Sequence, residues 1–296
     1  MTIYETLILP FSEHDYMRRA LAACIIMTIS GTPLGIFLVL RRMTLMGDVI
    51  SHAILPGVAI AFFISGAAIW PMTIGGIIAG LLVAIAAGII TRLTNLNEGS
   101  SFTAAYLTSI AFGVAIISLK GGDDELIHIL FGDIFKIGND SLIFAASVAS
   151  FSLLSMASIY RPLIIEYFDS NFLKTQGRSG AIYHQIFLVL MVLNLITSFQ
   201  IMGTLMAMGI MILPPIATRL WTNNMDAAIA LSILFGIASS ALGLLISYHY
   251  ALPASSAIVL AASSWYLLSV FIGRTGGILS RFYPRKHFHL ESHYEK

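Results

Sequence analysis

Asp48 and His52 stand four residues apart in MTLMGDVISHAILPG, residues 43–57, within one of the most apolar parts of the chain. At that spacing on a helix, two side chains lie one above the other on the same face. An ionisable group in a membrane span costs about 2.5–3.5 kcal/mol, so such groups face a bundle interior or a watery pathway, usually with a partner. A carboxylate oxygen beside an imidazole nitrogen suits borderline divalent ions such as Mn²⁺, Fe²⁺ and Zn²⁺, whereas soft Cu(I) favours sulfur. Two ligands are too few for a tight site. Two copies of the helix would bring two carboxylates and two imidazoles around one axis, enough to hold a cation transiently, as a pathway requires. Pro56-Gly57 follows directly and should bend the helix and free a carbonyl that could also face a cation. The same pair also fits a purely structural contact or a proton relay in a secondary carrier.

The elements that must carry this pair follow from composition. Of 296 residues, 57% are hydrophobic and only 10% charged, with a mean hydropathy of +0.88. Soluble domains average roughly 45–50% apolar and about 25% charged, so the chain is expected to be an integral membrane protein. Apolar runs fall near 20–40, 46–66, 71–91, 101–119, 140–160, 184–200, 203–220, 226–247 and 253–272. A spanning helix needs about 20 mostly apolar residues. The expected fold is therefore all-α and polytopic, with eight to nine transmembrane helices. The count stays open because only Ile201, Met202 and Gly203 separate two of the runs. Residues 126–135 are too short to span and read as a re-entrant or interfacial piece.

Basic residues set the orientation. With the N-terminus outside, Arg41, Arg42, Arg92, Arg161, Lys174, Arg178, Arg219, Arg274, Arg281, Arg285, Lys286 and Lys296 face the cytoplasm, twelve of the 16 basic residues. Residues 1–273 form the membrane domain, with a mixed-polarity cytoplasmic loop at about 161–183, and 274–296 form a cytoplasmic tail. The N-terminal residues lack the pattern of a cleaved signal peptide. Cys24, the one cysteine, has no partner for an intrachain disulfide. A net charge of +1 without a basic patch gives no footing for nucleic acid.

Other candidate groups read more simply. His287, His289 and His293 sit in the solvated tail, although their spacing also permits weak metal binding. His14, His128 and His249 fall near the outer surface, as do Asp123, Asp124 and Glu125, which could concentrate cations there. Met206, Met208 and Met211 read as packing residues, and Glu98 as a loop charge. Gly76–Gly80 and Ser239–Gly243 are small-residue pairs that allow close helix approach. The chain contains no H-E-x-x-H, which argues against an intramembrane metallohydrolase. It also contains no G-x-x-x-x-G-K-[ST] loop, so it cannot cradle ATP by itself.

Residues 34–57, LGIFLVLRRMTLMGDVISHAILPG, resemble the signature region of the membrane permease subunits of metal-ion ABC importers, which take up manganese, zinc or iron. The likeness rests on Met46-Gly47-Asp48-x-x-Ser51-His52-x-x-Leu55-Pro56-Gly57 behind the arginine pair. It continues more weakly at Leu126 to Gly132, at Gly203-Thr204-Leu205 through Pro214-Pro215-Ile216-Ala217-Thr218, and at Ala257 to Leu260. The resemblance implies that Asp48 and His52 lie on the cation pathway, with manganese or iron a better fit than zinc. It implies no permanently bound cofactor. It further implies a separate ATP-binding ABC subunit, coupled through Phe168, Asp169, Lys174 and Gly177. An extracytoplasmic metal-binding protein would deliver the ion. A second permease chain, identical or related, would complete the assembly in the cytoplasmic membrane.

Overall fold

The computed structural model describes residues 8–66, 68–94, 98–120, 134–168 and 180–279. The described residues are helical apart from turns and short connections. They form α1 (Leu9–Glu13), α2 (Asp15–Leu40), α3 (Met46–Ala53), α4 (Leu55–Ser65), α5 (Ile69–Leu93), α6 (Glu98–Lys120), α7 (Asn139–Phe168), α8 (Gly180–Met202), α9 (Thr204–Arg219), α10 (Met225–Tyr250) and α11 (Ala254–Ile272). A single 3₁₀ turn, Ile134–Lys136, precedes α7. Each apolar run found in the sequence falls on helix.

Among the described residues, seven helical segments are long and apolar enough to cross a membrane: α2, α3 with α4 taken together, α5, α7, α8, α10 and α11. The other two predicted spans are helical as well. α6 covers one of them with 23 residues. α9 has 16 residues, about 24 Å against a hydrocarbon core of about 30 Å. Gly203 resolves the ambiguity between α8 and α9: its φ of 80° breaks the helix in a conformation that suits glycine. α7 runs eight residues past its predicted end at 160, through Arg161 to Phe168, because Leu163 continues its buried face. The connection to α8 is correspondingly shorter than 161–183. Of the remaining expectations, the segment 126–133 and the tail histidines lie outside the described residues.

α2 and α8 form the centre of the bundle, with α7, α9 and α10 packed around α2. Several of their buried polar groups are bonded locally, as a low-dielectric interior favours. Thr32 donates to the Thr28 carbonyl at 2.8 Å and Thr197 to that of Leu193 at 2.8 Å. Asn194 joins α8 to α7 by donating to the Ser152 hydroxyl at 2.6 Å.

A close backbone approach joins α4 to α5 at Gly57 and Gly75. A Cβ on either residue would collide with the other's carbonyl group. Gly76 and Gly80, singled out in the sequence, pack one turn further along against Ile54, Val58 and Ile196. Side-chain contacts also define two ends. One gathers His14, Tyr16, Phe135 and Tyr248; the other gathers Arg41, Glu166 and His184. The richly basic end is the cytoplasmic one.

Overpacking costs typically 1–3 kcal/mol. Gly57→Val should therefore lower the thermal midpoint of the detergent-solubilised protein by at least about 4 °C, whereas Gly138→Ala, with open space around it, should leave it unchanged. Differential scanning fluorimetry distinguishes the two.

Candidate functional site

The predicted span 46–66 is two helices. α3 ends at Ala53 and α4 begins at Leu55, with Pro56 in its first turn. Proline suits that place because the first N–H groups of a helix have no intrahelical partner. The break leaves carbonyls that an unbroken helix would have bonded, and the protein supplies donors for them. The Ile54 N–H reaches the His52 carbonyl, and the Ser109 hydroxyl of α6 donates to the Ala53 carbonyl at 2.8 Å.

α3 is two-sided. Met46, Ile50 and Ala53 are buried at 3%, 0% and 0% exposure, spaced as one helix face. Gly47 on that side lies against α9; a Cβ there would stand 3.3 Å from the Met208 sulfur. The opposite side carries the pair read from the sequence. His52 Nε2 and Asp48 Oδ1 are 3.8 Å apart, with side chains 49% and 62% exposed.

Depth follows from the neighbours. The His52 ring lies 6.3 Å from that of Tyr106, eight residues into α6, about 12 Å from its cytoplasmic end at 1.5 Å per residue. Gly47 meets Met208 and Ile212 in the middle of α9 rather than at its ends. The pair therefore stands well inside the membrane-crossing region, on the outside of a single chain.

The surface around it differs from the lipid-facing ones. On α5, Trp70, Ile74, Ile78, Leu82, Ile85 and Ile89 are exposed large apolar residues at helical spacing, as contact with hydrocarbon favours. On α6, beside α3, the exposed positions Gly99, Ser100, Thr103, Ala104, Thr108, Ala111 and Ala115 are small or polar, with Leu107 and Phe112 the large apolar ones among them. Small residues of this kind mark helix–helix contact in membranes.

Of the other residues singled out, Phe168 is 72% exposed at the end of α7, its ring 5.0 Å from Tyr167. Asp169, Lys174 and Gly177 lie outside the described residues. His14 stacks on Tyr16 and lies 3.2 Å from the Tyr248 hydroxyl, while His249 Nδ1 bonds the Leu245 carbonyl at 2.9 Å. These histidines stay apart from Asp48 and His52. Met206 and Met211 are buried packing residues, with Met208 half-buried. Among the described residues, no three His, Cys, Asp or Glu side chains come together as metal ligands. Tyr106, Ser109 and Met208 complete the surroundings of α3. They come from distant segments, so no local spacing announced them.

Helices long and apolar enough to cross a membrane, with an ionisable pair set among them, define a multi-pass membrane protein of the permease class. A family model described as "ABC 3 transport family" matches residues 13–273, and the chain belongs to that family. It is 31% identical over 275 residues to the manganese transport system membrane protein MntC of Halalkalibacterium halodurans, covering 93% of each chain. It is 26% identical over 258 residues to the probable iron transport system membrane protein of Haemophilus influenzae, covering 87% of this chain and 94% of that one. Among solved structures, PsaBC from Streptococcus pneumoniae in complex with Fab superposes with a TM-score of 0.80 at 32% identity, covering 95% of this chain and 100% of that one.

An exposed i, i+4 ion pair is worth only about 0.3–0.5 kcal/mol. Asp48→Asn and His52→Ala should each leave the thermal midpoint of the solubilised chain within about 3 °C of the parent. A large drop would assign the pair to stability.

Proposed function

We propose that this chain is the membrane-spanning subunit of an ATP-driven importer of a divalent transition-metal cation, manganese or iron ahead of zinc. The observation that carries the reading is the exposure of Asp48 and His52 on the outside of one chain at a depth where lipid would penalise both. A second permease chain over this face would shield the pair from lipid. It would also supply a matching carboxylate and imidazole, giving four ligands on a central route. The small and polar residues of α6 beside the pair fit such a contact.

The donor set favours cations of intermediate softness. The names of similar proteins, for manganese and for iron transport, support manganese and iron. A divalent ion is very costly in hydrocarbon, so Asp48 and His52 replace part of its hydration shell while the assembly alternates between outward and inward openings. Binding must be weak enough to release, as in any conduction path. The chain performs no covalent chemistry. Its lack of a phosphate-binding loop assigns ATP hydrolysis to a separate subunit, docked on the cytoplasmic face through 169–179 with Phe168, Asp169, Lys174 and Gly177. An extracytoplasmic metal-binding protein delivers the ion to the outer face of the cytoplasmic membrane.

Reconstitution with the ATP-binding subunit in proteoliposomes tests the reading. ATP-dependent ⁵⁴Mn²⁺ uptake should be competed by Fe²⁺ more strongly than by Zn²⁺, and should fall at least about a hundredfold in Asp48→Asn and in His52→Ala, the loss expected when paired charged ligands go unmatched. Parent-level uptake by both variants would remove the pair from the pathway. Uptake driven by a proton gradient without the ATP-binding subunit would favour a secondary carrier.

A further inference from the structure

At the cytoplasmic end, three charged or polar side chains from three helices meet away from the metal pair. Arg41 follows the last residue of α2. Its Nη2 donates to Glu166 Oε2 on α7 and its Nη1 to His184 Nδ1 on α8. Guanidinium has no acceptor, so His184 accepts at Nδ1 and carries its ring proton on Nε2. The Arg41 and Glu166 side chains are only 10% and 16% exposed, and His184 is buried. The Tyr167 hydroxyl adds a fourth link by donating to the Leu40 carbonyl at 2.7 Å.

Chain order gives this cluster its significance. Glu166 lies three residues before the segment 169–179, and His184 lies five residues after it. Arg41 holds both flanks of that segment at once. Seven residues beyond Arg41 comes Asp48.

The link between them is short and carries hydrogen bonds at Arg41, Arg42, Met43 and Met46. The Arg41, Arg42 and Met43 amides donate to the carbonyls of Phe37, Val39 and Leu38 at 3.0, 3.2 and 2.9 Å, and Met46 N–H donates to the Met43 carbonyl at 3.0 Å. Arg42 is held at φ 58°, a left-handed conformation that residues with a side chain seldom adopt and that persists only where its surroundings enforce it. Such a turn passes a displacement on instead of absorbing it. A cleft of about 200 Å³ lined by Arg41, Met43, Glu166 and Tyr167 leaves room beside the cluster for movement.

A buried Arg–Glu pair brings little net stability compared with an apolar replacement, so its value here is directional. We propose that Arg41, Glu166 and His184 form a clasp that transmits displacement of the flanks of 169–179 to α3, setting the position of Asp48 and His52 during transport. They are positioning residues, and the proposal rests on the reading of 169–179 as the ATPase-facing segment.

The test uses the full transporter, reconstituted with its ATP-binding subunit. Mn²⁺ delivered per ATP hydrolysed is measured alongside subunit retention, Mn²⁺ affinity and thermal midpoint. Glu166→Gln keeps the shape of the side chain and removes the charge. It should retain the subunit and bind Mn²⁺ within about twofold of the parent while delivering at least about fivefold less Mn²⁺ per ATP, a shift typical of residues that modulate coupling between sites. Exchanging the charges, Arg41→Glu with Glu166→Arg, should recover part of the ratio. Should Glu166→Gln fail to fold, Arg41→Lys keeps the charge but loses the two-pronged reach, and the same fall in ratio is expected. An unchanged ratio overturns the clasp, as does a loss of uptake that only parallels lost protein or lost subunit. Asp169→Ala and Lys174→Ala test the loop reading separately: unaltered ATPase binding and turnover in both withdraws that reading, while the ratio in Glu166→Gln still judges the clasp.

Discussion

A charge inside hydrocarbon is costly, and that cost governs the structure at each level. It requires every backbone polar group to be bonded within the chain, which leaves helices as the spanning elements here. It leads Thr32, Thr197 and Asn194 of the central helices to bond a neighbouring carbonyl or hydroxyl. It also makes the position of Asp48 and His52 informative. These groups are neither at the interface nor buried in the bundle; they stand exposed on α3, about 12 Å in from the cytoplasmic end of α6. A surface of that kind is compatible with water, with protein or with a polar ion, and incompatible with lipid.

The bundle presents two kinds of outer surface. Large aliphatic side chains line α5, where the chain meets hydrocarbon, and small or hydroxyl-bearing residues line α6 next to the ionisable pair. The division reflects what each face must exclude. Bulky residues fill the irregular boundary with acyl chains, while small ones let another helix come close. Inside the chain, the same logic places Gly57 and Gly75 where the backbones of α4 and α5 touch, fixing α4 directly behind the break that orients α3.

That break explains how a short helix can hold two ionisable side chains at mid-depth. Were the span continuous, residues 46–66 would form one rod, and its register would be set by both membrane surfaces. Divided at Ile54, α3 takes its place from α6, α8 and α9, with Ser109 tying its last turn to α6. On its cytoplasmic side, the turn through Arg42 joins it to the Arg41, Glu166 and His184 cluster. The helix that carries the pair is thus bounded by two hydrogen-bonded connections, one fastened to α6 and the other to the flanks of 169–179.

Much of this was legible in the sequence because it depends on local chemistry. Helical type follows from apolar runs of spanning length, and the shared face of Asp48 and His52 follows from a spacing of four. The family follows from the Met46 to Gly57 signature, which the match over residues 13–273 bears out. What the sequence left open depends on contacts between distant segments. Arg41 read only as one of several positive charges, although its guanidinium joins residues more than a hundred positions away. Tyr106 carried no local signal, since it reaches α3 only through helix packing. Pro56 was expected to bend a helix; packing against α6 decided that it should begin a new one. Periodicity and composition are properties of neighbours along the chain, whereas the depth and exposure of the ionisable pair are fixed only once the helices have packed.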